Sequence, residues 1–430
     1  MEFGHISSLK TLINYSLRLF KHSHFSVSMK TFFRNIHLYL SLAAGLVILI
    51  ACLTGAILVF EKELQETFNA ERYYTQPAVE RKSPDLLIKN VQTEYPDARV
   101  TSFKAFADNQ RTVEIGVLLE DPFVKTESNL SSIPANAKAG ETKGPEGIKK
   151  TAFVDPYSGE VIELYSYRET FLYKVFALHR WLLGKNDGPG KYIVGVSTFI
   201  FLFILITGLI LWWPKTRTIL SQRLKVKWDG SWKRLNHDFH IVLGFYASIF
   251  LFIFAFTGLA WSFQWFNKGI YTVTRSEMKP PAEPPLSAYV QGKAALGYDD
   301  ILKGTSEQVK DVHYYNITSP KDSSGVYSVT VLPLESPEMA SNTYYLDQYT
   351  GRVIGSLMFS DKNLGQRVRS TFKPVHTGSI FGIYSKIIAF ITCLLGATFP
   401  ITGTVMWISR LNKKKKMNRT QEKTISKQLV

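Results

Sequence analysis

Residues 38–60, LYLSLAAGLVILIACLTGAILVF, decide how the rest of the chain is read. The stretch carries no charged side chain. As a helix rising about 1.5 Å per residue, it is long enough to cross roughly 30 Å of hydrocarbon. Three further windows have the same character: Tyr192–Trp213, Ile241–Phe263 and Ile383–Ile408. Each contains Gly together with Ser or Thr, which suits close packing of helices in lipid. Composition agrees with this segregation. Of the 430 residues 45% are apolar and 20% charged, yet mean hydropathy is −0.02, so very apolar and very polar stretches alternate. Wholesale disorder and an evenly patterned globule are both excluded. The only cysteines, Cys52 and Cys393, lie inside apolar windows, which excludes a disulfide framework and a thiolate metal site.

The net charge of +16, from 51 Lys and Arg against 35 Asp and Glu, is unevenly placed. Lys215, Arg217, Arg223, Lys225, Lys227, Lys233 and Arg234 crowd the short loop between the second and third windows. Arg410 and Lys413–Lys416 follow the fourth, and Lys30 and Arg34 precede the first. Short basic flanks stay on the cytoplasmic side. Both termini are therefore expected in the cytoplasm, and the two long insertions outside it. The charge is a topology signal and gives no support to nucleic-acid binding. The expected layout is a span at 29–60, an outer domain at 61–190, a span at 191–213 and a basic loop at 214–239. A span at 240–263, a second outer domain at 264–382, a span at 383–408 and a basic tail at 409–430 complete it. Met29-Lys30-Thr31-Phe32-Phe33 reads as a natural start, and residues 1–28 as an extension from a mis-called start codon.

The two halves share landmarks in one order. His37 precedes Thr54-Gly55 by 17 positions, and His240 precedes Thr257-Gly258 by the same 17. Val154-Asp-Pro-Tyr-Ser-Gly-Glu-Val-Ile162 in the first insertion answers Leu346-Asp-Gln-Tyr-Thr-Gly-Arg-Val-Ile354 in the second. His179 and His376 each stand just before a span that carries Ile-Thr-Gly, at 206–208 and 401–403. The unit of His, span, outer domain, His, span is thus used twice in the same orientation, which predicts two parallel pseudo-repeats about an axis along the membrane normal. The Asp-x-x-[Ser/Thr]-Gly turns and the alternation in Arg111–Leu119 and Tyr327–Leu332 predict strands, so the outer domains are expected to be α+β units. Ser131–Lys150 and Met278–Pro285 read as loops.

Ionisable groups at membrane spans default to functional candidates. The repeat would bring His37 and His240 to equal depth near the cytoplasmic face, and His179 with His376 near the outer face. Facing imidazoles are the arrangement that grips one haem iron from both sides. A lone interfacial His is more often a polar anchor, but duplication gives no reason to keep an arbitrary anchor twice at each level. His237, three residues before His240, shares its helix face and competes for the role. His313 has no repeat partner, and His5, His22 and His24 lie in the 1–28 extension, so none of the four is assigned a role. Arg34 and Arg180 stand beside candidate ligands and read either as partners for haem propionates or as basic anchors. The Thr-Gly pairs read as packing devices, and the six Trp at span ends as an aromatic belt. Nothing matches a P-loop, GxGxxG, HExxH or GxSxG, so no site for a nucleotide reductant is expected.

These landmarks resemble a known family. Arg34-Asn-Ile-His37 leading to Leu53-Thr-Gly55, Leu178-His-Arg-Trp-Leu-Leu-Gly184, Asp238-Phe-His-Ile-Val-Leu-Gly244 and His376-Thr-Gly378 are similar to the PepSY-associated transmembrane proteins, also called iron-regulated membrane proteins. That family includes ferric-siderophore reductases. The resemblance runs from Met29 to about Arg410. It implies an α-helical integral protein of a bacterial inner membrane, with four transmembrane helices and two PepSY-like periplasmic domains. It further implies one or two b-type haems held by His37, His179, His240 and His376, and reduction of a periplasmic ferric siderophore. Some relatives carry a fused flavin domain. This chain does not, which leaves a cytoplasmic or quinol donor as the expected electron source. The alternative function is a haem-free periplasmic binding or regulatory module anchored by its spans.

Overall fold

The computed structural model describes residues 29–120, 147–278 and 283–428, with side chains described as far as residue 421. The 1–28 extension lies outside the described residues, as do parts of both expected loops, at 131–146 and 279–282. Among the described residues four helices are long and apolar enough to cross a membrane: Met29–Val59, Pro189–Trp212, Trp232–Ser262 and Ser379–Gln421.

The first of these shows why the apolar window folds as it does. Ala44, Ile48, Cys52 and Ala56 recur every fourth residue and are buried, whereas Leu42, Leu46, Leu53 and Ile57 are exposed. Apart from Ile48 the buried positions are small, and the outward positions are Leu and Ile, a division expected when the outer solvent is lipid. The third span is not a uniform helix. Trp232–Asp238 and Gly244–Ser262 are joined by a π-helical turn, Phe239–Leu243. The fourth runs unbroken from Gly382 to Gln428. It exceeds the 383–408 window because Lys413–Lys416 and the polar residues after them are good helix formers that need no apolar partner.

By its contacts the chain forms two compact units. Of the described residues, one draws on 29–49, 196–255 and 395–428, and the other on those within 50–195 and 256–394. The second unit holds all the named strands: β1 Arg99–Phe106, β2 Val113–Leu119, β3 Ile148–Val154, β4 Val161–Tyr165, β5 Val312–Thr318, β6 Val326–Pro333, β7 Asn342–Asp347 and β8 Val353–Leu357. They form one antiparallel sheet in the order β4-β3-β2-β1-β5-β6-β7-β8. The two insertions thus share a single eight-stranded sheet. Its central seam is β1 on β5, with Phe103 opposite Ile317 and Ala105 opposite Tyr315.

One face of this sheet carries the core. Leu87, Ile88 and Val91 of the helix Pro84–Glu94, with Tyr298 and Ile301 of the helix Tyr298–Gln308, pack on Phe103, Ile115, Val117, Ile317, Val329, Val331 and Leu346. The period-2 apolar residues of the strands supply that face. The two helices also cap one another. The Asp85 carboxylate accepts from the Tyr298 and Asp299 N–H groups at 2.9 and 3.2 Å, while Asp299 accepts from the Asp85 N–H at 2.8 Å. Two sets of orphan donors at helix N-termini are satisfied in this reciprocal way. A Cβ at Gly297 would collide with the Asp85 carboxylate, so a larger residue there would have to displace this cap.

The two Asp-x-x-[Ser/Thr]-Gly segments form matching turns. Asp155 accepts from the N–H groups of Tyr157 and Ser158, and Asp347 from those of Tyr349 and Thr350. Gly159 and Gly351 close the turns with φ of 77° and 69°. After the last strand of each insertion a 3-10 turn leads to a helix, Phe171–Trp181 in the first and Leu364–Thr377 in the second. These two helices carry His179 and His376.

Candidate functional site

Both helices that present a histidine from the insertions are fixed at both ends. Phe171–Trp181 begins at Thr170, whose hydroxyl accepts from the Tyr173 N–H, and ends in left-handed backbone at Leu182 and Leu183. Leu364–Thr377 begins with a reciprocal cap between Asn363 and Gln366 and ends at Gly378, φ 74°. A Cβ at Gly378 would press on Ala389 at 2.7 Å. His179 and His376 occupy the last turns, and their rings face each other with centroids 6.2 Å apart and planes at 61°.

The second pair of rings lies in the other unit. His37, borne by the first span, faces His240, borne by the π-helical turn of the third, with centroids 6.4 Å apart and planes at 87°. A π turn inserts one residue into the helical ladder and re-aims the side chains at that point.

All four imidazoles are held by a threonine from a Thr-Gly pair. The Nδ1 atoms of His37, His179, His240 and His376 lie 3.1, 3.0, 2.9 and 3.1 Å from the hydroxyls of Thr207, Thr54, Thr402 and Thr257. Thr54, Thr207 and Thr402 give their own protons to carbonyls of the preceding helical turn, at 2.6, 2.8 and 3.0 Å, so each hydroxyl is left as an acceptor. For two of the rings a carbonyl settles the tautomer. His37 Nδ1 lies 3.1 Å from the Ile204 oxygen and His179 Nδ1 lies 3.0 Å from the Ala51 oxygen, and a carbonyl can only accept. The proton is therefore on Nδ1, and the basic lone pair is on Nε2. A metal-ligating imidazole is arranged in this way, with its second nitrogen tied to an oxygen.

The glycines beside Thr207, Thr402 and Thr54 permit the approach. A Cβ at Gly208, Gly403 or Gly55 would stand 3.3, 3.2 or 3.4 Å from Cε1 of His37, His240 or His179. His179 also lies outside the spans, and the loss of hydration on burial pushes its pKa down to about 4, against the Ala51 bond that raises it. The ring is consequently neutral at pH 7, as a ligand must be.

Around His37 and His240 lies a cavity of about 250 Å³. Gly45, Gly208, Gly244 and Gly403, one from each span, leave parts of its wall without side chains, while Arg34 and Arg410 supply its charge. A family profile described as PepSY-associated TM region matches residues 34–410. The chain belongs to this PepSY-associated transmembrane family. A comparison with curated proteins found no match. Family and helices together make this a membrane protein whose spans contact lipid.

In this PepSY-associated protein the structure brings His37 to His240 and His179 to His376. His237 joins neither pair. It is half-exposed, with Nδ1 3.2 Å from the Asp238 carboxylate. His313 sits on β5 with Nε2 3.2 Å from the Leu334 carbonyl, and His5, His22 and His24 lie outside the described residues. The threonines, read from sequence as packing devices, are the partners of every paired imidazole. The available signal was numerical: the sequence has one span Thr-Gly for each candidate histidine. Sequence reasoning also treated Arg410 only as a topology signal and did not single out Arg369.

Proposed function

We propose that this protein is a haem-bearing reductase of a bacterial inner membrane, passing electrons outward to a ferric siderophore. The observation that carries the reading is the pair of facing imidazoles, found twice, each ring with Nδ1 held by a threonine hydroxyl. The spacing fits an iron between them. Two metal–imidazole bonds of about 2.0–2.1 Å, with about 1.1 Å from nitrogen to centroid in each ring, place the centroids about 6.3 Å apart, against 6.4 and 6.2 Å here.

Among the described residues no third His, Cys, Asp or Glu joins either pair. Two imidazoles alone are too few ligands for a bare transition-metal ion, but they suffice for haem iron, whose macrocycle supplies the remaining nitrogens. The glycine-lined cavity offers a surface on which a flat group can lie. When bound, haem supplies one-electron chemistry at a potential set by its axial ligands and surroundings.

The chain's own residues set the rest. Thr207 and Thr402 orient His37 and His240, and Thr54 and Thr257 orient His179 and His376. The basic flanks at Lys30, Lys215–Arg234 and Lys413–Lys416 favour a cytoplasmic location for both termini, which leaves the insertions and their sheet in the periplasm. His37 and His240 then serve a quinol or cytoplasmic donor, and His179 with His376 serve the substrate. Each Fe(III) of the siderophore takes one electron and leaves as the more weakly held Fe(II). The matching strand order, the Asp155 and Asp347 turns and the repeated Thr-to-His contacts support an origin by internal duplication, with two PepSY-like halves fused across β1 and β5.

The test is the reduced-minus-oxidised visible spectrum of the full-length protein in detergent, with haem quantified. Low-spin b-type bands at two haems per chain are expected. A colourless protein that takes up no added haem overturns the reading and leaves a haem-free binding module in its place.

A further inference from the structure

Beside His376 two arginines meet without an acidic partner. Trp261 packs on His376 with ring centroids 5.2 Å apart. The Arg180 and Arg369 guanidiniums lie 5.9 and 5.1 Å from the Trp261 ring. Arg369 spends its Nε on the Asn267 side-chain oxygen at 2.8 Å. Arg180 Nε is buried and has no hydrogen-bond partner. Among the described residues no carboxylate forms an ion pair with either group.

Two half-buried cations placed together cost free energy. Aromatic faces offset part of that cost, at about 0.5–2 kcal/mol per contact, but they leave the N–H forks unspent. A guanidinium fork is matched by a planar oxyanion.

We propose that Arg180 and Arg369, on the platform of Trp261, form a carboxylate-binding site next to the His179–His376 pair. The proposal rests on the haem reading for one of its two sources. The carboxylate is either a propionate of the haem held by that pair or a carboxylate of an anionic ferric chelate brought to it. The chemistry is shared: a bidentate oxyanion closes onto two forks that no acid of the described chain fills.

The experiment uses full-length protein in detergent, with Arg180→Gln, Arg369→Gln and the charge-keeping Arg369→Lys, and reads two equilibria. One is uptake of haem against haem dimethyl ester, which has no free carboxylate. The other is binding of gallium(III) citrate, a redox-inert anionic chelate, to haem-loaded protein. If propionates are the source, wild type prefers haem over its ester by about tenfold or more. Both Gln variants then lose most of that preference, Lys restores part of it, and the low-spin bands persist. If a chelate is the source, the preference is unchanged and gallium citrate binds about tenfold more weakly to the Gln variants. Gln variants that match wild type in both equilibria overturn the proposal. Wild type that takes up no haem overturns the haem reading alone, since gallium citrate binding to haem-free protein still reports on the arginines.

Discussion

The His37–His240 and His179–His376 pairs have ring spacings within a few tenths of an ångström of each other, yet different helices bear them. His37 and His240 grow from spans one and three. His179 and His376 grow from the last turns of short helices outside the spans, each capped at its start by a polar side chain. The common element is the receiver. In every case the imidazole meets a Thr-Gly pair on a membrane helix: span two and span four for the first pair, span one and span three for the second. The comparison teaches that geometry at these sites is set by the helix that accepts the ring. The bearing segment needs only to deliver it, by a π turn in one case and a capped helix in another.

The largest effect should come from removing one ring from each pair. If the proposed haem reading holds with two haems per chain, His240→Ala and His376→Ala are each expected to lower the haem content to one, and the remaining haem to keep its low-spin spectrum. Pyridine haemochrome quantification and electron paramagnetic resonance check this. If either substitution empties both pairs, the comparison between two self-sufficient sites breaks.

A smaller effect should separate the pairs by their glycines. Gly403→Ala places a Cβ 3.2 Å from His240, tighter than ordinary contact, whereas Gly55→Ala places one 3.4 Å from His179, at its edge. Ala for Gly inside a helix also contributes about 1 kcal/mol of stability, which competes with an overpacking cost of roughly 1–3 kcal/mol. Gly403→Ala should therefore weaken haem retention at the first pair with little change in melting temperature. Gly55→Ala should leave retention nearly intact and raise the melting temperature slightly. Haem-transfer kinetics to apomyoglobin and a thermal melt measure the two. Equal loss from both variants would show that the spacing is not set by these contacts.

Much of this was legible in the sequence because its signals are local. Apolar windows of span length, the 17-residue interval repeated at His37 and His240, and the two Asp-x-x-[Ser/Thr]-Gly turns need no tertiary information. What the sequence concealed depends on contacts far apart in the chain. The shared sheet is created by β1 pairing with β5, more than 200 residues later, and period-2 alternation specifies a strand's face but not its neighbour. The role of the threonines is equally non-local, since Thr207 reaches His37 across 170 residues. Intrahelical bonding of Thr to the preceding turn is common in any apolar helix and disguises the second function of the same hydroxyl. The π turn at Phe239–Leu243 lacks even a compositional mark, because Phe-His-Ile-Val-Leu continues the helix pattern on either side.

The smallest effect should come from the receiving hydroxyls. Thr402→Val and Thr54→Val keep volume and β-branching but replace the oxygen facing Nδ1 with a methyl group. At His179 the Ala51 carbonyl remains as a second acceptor 3.0 Å away, so the ring keeps its tautomer and loses only part of its anchoring. Loss of an outer partner of a metal-bound imidazole commonly costs about 10–100-fold in affinity; with the carbonyl retained, the lower figure is the expectation for Thr54→Val. A merely structural role would change melting and leave the haem unaltered. An orienting role changes the haem itself: a less anionic, less fixed imidazole is a poorer donor to Fe(III), which raises the midpoint potential and broadens the low-spin resonance. Thr54→Ser should restore both, since it keeps the oxygen and loses only a methyl group. A Thr54→Val protein whose potential and resonance match wild type would show that the hydroxyl serves helix packing alone, as its place in an apolar window first suggested.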